Sequence, residues 1–365
     1  MKIIVALLTG AFLFLPLAAS AQEAEQEYLE KARVLNATPS EEIVIDGTEV
    51  GAERQTVTVE MLSGPEAGTV ATFENDFTQV ETGDVVYVRH LTGGFGPEMW
   101  SIADPYRLDV LIIIGVIFLA LVCVFGGIQG LRGLASLAGS IVLIFTLLIP
   151  PIYDGYSPIL VSIGVASLII VLGSYVTHGF TRTTTAAMLG MIATIVVTGL
   201  ATYLAIHAAG LSGFTSEHNV YLNFGTDGRI DMLGLLFGGI MIGLLGVLYD
   251  SAIGQAVAVE ELFVAGQSYT RAQVYKRAIR IGREHIGALV NTLAIAYVGA
   301  SLPILLLFMQ STASVGYILN SELFATEIIR ILMGSIGLVL AVPITTLIAS
   351  YMLQHARESS GTHRH

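Results

Sequence analysis

The sequence predicts an all-α membrane protein: a bundle of seven transmembrane helices behind a small β-rich, OB-like head. Three observations predict it. Apolar runs of membrane-spanning length recur from residue 108 onward. The segment before them alternates with period two, and basic residues collect on alternate loops. Of the 365 residues 54% are hydrophobic and only 13% charged, with a mean hydropathy of +0.74. A typical soluble domain carries roughly twice that share of charge.

Residues 1–21 carry Lys2, an apolar stretch over 3–18 and the small-residue pattern Ala19-Ser20-Ala21. That order reads as a secretory signal, so residue 22 starts outside the cytoplasm. Residues 22–106 form an acidic extracytoplasmic domain. A helix is expected over 22–33, then short strands around Ile43, Val57 and Val86, bounded by Gly47, Gly64, Gly83 and Gly93-Gly94. Strands of this number and size suggest the OB-like barrel. His90 stands alone and reads as a solvated strand residue.

The bundle occupies 107–353, with a cytoplasmic tail at 354–365. Spans are expected near 108–125, 134–152, 156–176, 184–207, 230–250, 288–309 and 331–353, each about the ~20 residues that cross a bilayer. An exported head puts the loops 126–133, 177–183 and 251–287 and the tail inside. Those segments hold nine basic residues, whereas the opposite loops hold only Arg229. The positive-inside rule therefore agrees with the signal segment, and a bacterial inner membrane is the expected location.

Small residues four apart (Gly234/Gly238, Gly239/Gly243, Ala135/Gly139) are expected to seat helices closely. Polar residues within spans mark candidate function, because lipid makes them costly. Asp250, Gln255 and Asn291 form a candidate intramembrane site, Asp250 and Asn291 being placed at matching depth. Asp231, Glu327 and Arg330 are candidates for the outer mouth, Glu327 and Arg330 lying one turn apart. Pro303 and Pro343 interrupt spans six and seven, with Thr345-Thr346 placed to satisfy the carbonyl that Pro343 frees. Residues 269–286 read as an amphipathic helix at the inner leaflet. Its charged face carries Lys276, Arg277, Arg280 and Arg283; Val274, Ala278, Ile281 and His285 make the other.

The single cysteine, Cys123, and the scattered histidines offer no metal set or disulfide, and no catalytic or cofactor motif is present. Neither an enzyme nor a nucleic-acid binder is expected, with only three lysines and a net charge of −12. The expected partners are the lipid bilayer, a small solute or ion, an envelope protein and a second copy of the chain.

Four segments then resemble one family. They are Thr177-His-Gly-Phe-Thr-Arg-Thr-Thr, Gly246-Val-Leu-Tyr-Asp-Ser-Ala-Ile-Gly-Gln, Ile281-Gly-Arg-Glu-His-Ile with Val290-Asn through Ser301-Leu-Pro, and Gly334-Ser-Ile-Gly through Pro343-Ile-Thr-Thr. Together they are similar to the YibE/F-like bacterial membrane proteins. The resemblance implies a polytopic inner-membrane protein of a kind described as permeases, without a substrate. It singles out Asp250, Gly282, His285, Asn291 and Pro303 as motif positions. A channel or secondary transporter is the first functional expectation. A non-transporting envelope assembly or signalling protein, binding a partner through its head, is the alternative.

Overall fold

The computed structural model describes residues 26–39, 41–44, 51–76, 78–92, 99–266 and 268–361. The signal segment at 1–21, the turns at Gly47 and Gly93-Gly94 and the last residues of the tail lie outside them. The chain divides into two units, 1–125 and 126–365.

The first unit is built on six antiparallel strands: β1 (Gln26–Ala37), β2 (Glu41–Val44), β3 (Gly51–Met61), β4 (Val70–Asn75), β5 (Val85–Thr92) and β6 (Met99–Pro105). Their order is β2-β3-β1-β5-β6, with β4 also paired to β3 along Gln55–Glu60, which makes an antiparallel half-barrel sheet. Among the described residues no ladder closes β6 onto β2 or β4. The expected helix over 22–33 is corrected. That stretch lies largely in β1, the central strand, paired on one side to β3 and on the other to β5. Glu30, Ala32 and Val34 are buried at every second position, and two hydrogen-bonded neighbours override local helix propensity. The core is Ala32, Val34, Val57, Val59, Met61, Val80, Val86, Val88 and Ile102. Gln55 pins the incoming loop: its carboxamide donates to Val80 O at 3.2 Å and accepts from Val80 N at 3.0 Å.

His90 is also corrected, from solvated to buried. At 3% exposure it stacks on Trp100 with ring centres 3.6 Å apart, and Glu66 lies 3.1 Å from its Nδ1. Trp100 and Tyr28 flank His90 in register on β6 and β1.

The helices are α1 (Leu108–Leu143), α2 (Ile149–Tyr153), α3 (Pro158–His178), α4 (Arg182–Ala208), α5 (Glu217–Gly225), α6 (Met232–Ala265), α7 (Arg271–Ala300), α8 (Leu302–Met309), α9 (Val315–Asn320) and α10 (Glu322–Gly361). A π-helical turn, Ile144–Leu148, joins α1 to α2. Five stretches are long and apolar enough to cross a membrane: Leu108–Tyr153, α3, α4, α6 and the first 33 residues of α10. A sixth counts if α7 and α8, bent by 62° at their junction, are one broken span. Leu108–Tyr153 runs for 46 residues but is interrupted at Gly127, whose φ of 53° lies in the left-handed region open to glycine. These are the properties of a membrane-embedded chain.

Within the second unit, α3 and α6 lie side by side at a constant offset of 76 residues. A Cβ on Gly234 would press on Pro158, one on Gly238 on Ser162, and the Tyr249 hydroxyl donates to Gly173 O at 3.0 Å. The Gly234/Gly238 pair therefore does what its spacing predicts, letting backbones approach. Gly139 and Gly239 face open space instead, and Gly243 faces the Tyr297 hydroxyl.

Candidate functional site

The helices of the second unit bury a polar interior built by two groups of residues, and a third polar group lies partly buried at one helix end.

The first centres on Gln255. It is 3% exposed in the middle of α6, and its Nε2 donates to Ala278 O of α7 at 2.8 Å and to Thr346 Oγ1 of α10 at 2.7 Å. One carboxamide thus fastens three helices. Gly282 makes this possible, since a Cβ there would collide with Val342 Cγ1 and lie 2.7 Å from Gln255 Oε1. Three of the four family-like segments meet at this node. Thr346 in turn donates to Val342 O at 2.6 Å. This corrects the expectation for Pro343. The carbonyl that lacks its usual amide partner belongs to Val339, four residues back, and Thr346 serves a different one.

The second group is the seam between α4 and α10. A Cβ on Gly190 would fall on Thr345, and one on Gly337 would lie 3.0 Å from Thr198 Oγ1 and Cγ2. These two contacts are eight residues apart on each helix and run in opposite directions, so they fix an antiparallel register. Extended along both helices, that register aligns Thr194 with Ala341 and Thr202 with Met333. All of them are buried except Met333, which is partly so. Carried further, the same register aligns Ala186 with Ala349 at one end and Ile206 with Ile329 at the other, all members of the apolar core or packed against it.

The hydroxyls in this seam are the notable groups. Thr194 makes the usual back-bond to Gly190 O at 2.8 Å. Thr198, Thr202 and Thr345 have buried hydroxyls with no hydrogen-bond partner among the described residues. Each such group costs about 1–3 kcal/mol unless something pairs with it. The Gly190-x3-Thr194-x3-Thr198-x3-Thr202 spacing was readable in the sequence as one small, polar stripe on a helix. Without a partner helix it had no meaning.

The third group lies at the other end of α10. Glu327 and Arg330 pair at 3.0 Å, with the guanidinium 5.9 Å from the centre of the Tyr297 ring. Their pairing is what the one-turn spacing predicts, and both charged side chains are partly buried. Asp231 does not join them; it caps α6 by accepting from Gly234 N at 3.0 Å. Glu322 holds the connection after α4 with one oxygen. It accepts from Ser212 N at 2.6 Å, Ser212 Oγ at 2.7 Å and Gly213 N at 2.9 Å. Gly213, at φ 86°, packs so closely on the Met232 carbonyl that a Cβ would clash.

Asp250 and Asn291 are placed apart from this interior. Both are exposed on the outer faces of α6 and α7, and no described hydrogen bond joins them. His285 is likewise exposed, and Pro303 occupies the first turn of α8, just past the 62° bend. The amphipathic reading of 269–286 holds with a shift. Val274, Ala278 and Gly282 are the buried stripe, while Ile281 is 40% exposed. A capping box at Thr270–Gln273 starts this helix, and Arg271 reaches Gln354 Oε1 at 2.7 Å and stacks over Tyr351. An open cleft lined by His178, Thr181, Thr184, Ile253 and Glu260 lies where the first two family-like segments meet. Among the described residues no group of three metal-ligating side chains occurs.

No curated protein and no solved structure matches the chain. The family model described as "YibE/F-like protein" matches residues 114–355, more than half of the chain and all of the helices that build the polar interior; the chain belongs to the YibE/F-like family.

Proposed function

We propose that this protein is a permease, a channel or secondary transporter for a small solute or ion, and that its route follows the α4–α10 seam. The observation that carries the reading is the set of unpaired hydroxyls on Thr198, Thr202 and Thr345, buried where α4 and α10 pack together. Polar groups left without partners in a membrane interior are costly. A cargo or water that pairs with them gives that cost a use. The Gln255 node sits beside the seam and ties α10 just past Pro343, where the helix lacks a backbone bond, so it can govern movement of that half-helix.

The same reading has the helix break at Gly127 divide Leu108–Tyr153 into two spans, giving seven in a bacterial inner membrane. The head lies outside, and the basic start of α7 and the tail inside, as the charge bias favours. Purified protein in liposomes should pass at least one member of a solute and ion panel, and Thr198→Val with Thr202→Val should abolish that flux. If no solute crosses, the envelope-assembly reading takes its place.

A further inference from the structure

Resting on that permease reading, we infer that the cargo is a small uncharged solute that both donates and accepts hydrogen bonds, of the urea or polyol kind, rather than an ion. The seam is formed by Gly190, Thr194, Thr198 and Thr202 of α4 and by Gly337 and Thr345 of α10. None of these side chains ionises. An ion entering such a place would shed water without meeting an opposite charge, which lipid-buried sites tolerate poorly. A threonine hydroxyl offers one donor and two acceptor lone pairs, and the three unpaired ones can serve a neutral partner of either sense.

The charges nearest in the fold reinforce this. Glu327 and Arg330, past Ile206, neutralise each other at 3.0 Å. Asp250 is exposed on the far side of α6 from the buried face that carries Gln255. Gln255 itself, the polar side chain next to the seam, is a neutral carboxamide. Neither Gly190 nor Gly337 has room for a methyl group: α4 and α10 touch at both points, so cargo meets the hydroxyls only when the two helices part.

The test uses the full chain in phosphatidylcholine liposomes. Stopped-flow light scattering follows urea and glycerol entry, and entrapped dyes follow Na+, K+ and Cl−. The expected result is urea or glycerol permeability severalfold above protein-free vesicles, with silent dyes. Thr198→Val with Thr202→Val should return it to background, while the corresponding serine variants, which keep the hydroxyls, retain it. Ion flux that the valine pair lowers would overturn the cargo class and leave the permease standing. No flux in any arm, from protein that inserts and remains monodisperse, would overturn the permease reading and this inference with it.

Discussion

Gly190 of α4 lies directly against Thr345 of α10, so close that the smallest added side chain would overlap the threonine. That contact sets the register of the seam and buries the Thr345 hydroxyl where it finds no hydrogen-bond partner. Both residues are therefore constrained by the same approach, one in size and one in polarity.

Gly190→Ala should destabilise the protein by about 1–3 kcal/mol through overpacking. Gly239→Ala, on the same kind of helix but facing open space, should be neutral or slightly stabilising, since alanine favours helix by up to ~1 kcal/mol. Thermal unfolding in detergent measures the contrast. Equal effects at the two sites would show that the seam is looser than described.

Gln255→Leu should cost about 1–3 kcal/mol, because it strips partners from a buried carbonyl and hydroxyl at once. Gly282→Ala should cost a similar amount by pushing on the same carboxamide. The double variant should lose less than the sum of the two, as expected for side chains in contact. Additive losses would break the link between them.

Glu322→Ala releases three donors from one carboxylate oxygen. The connection at 209–216 should then become sensitive to protease, while helix content stays unchanged. Limited proteolysis followed by mass spectrometry locates the cut. An unchanged cleavage pattern would mean that the Gly213 packing suffices without the clamp.

Trp100 is the chain's single tryptophan, so its fluorescence reports on the head alone. His90→Ala removes a stacked ring and should lower the stability of this unit by roughly 0.5–1.5 kcal/mol. It should also shift the emission to the red and increase quenching by acrylamide. Unaltered emission would contradict the stacked arrangement.

What the sequence by itself determined is what depends on composition along one chain. Apolar length marked the spans, because hydrocarbon thickness fixes how many helical residues are needed. Period-two alternation found β3 and β5, and i to i+3 spacing paired Glu327 with Arg330. The Gly234/Gly238 step was legible for the same reason: its meaning is local to one helix. Only the tertiary structure decided the rest. β1 is a strand because β3 and β5 flank it, whatever its own propensity. Asp250 and Asn291 stood out by chemistry, yet helix rotation turns both outward. Gln255 gained its role from Ala278 and Thr346, distant in sequence, and the threonines of α4 gained theirs from the facing helix. Burial and hydrogen bonding belong to pairs of elements, and no single segment contains both members of the pair.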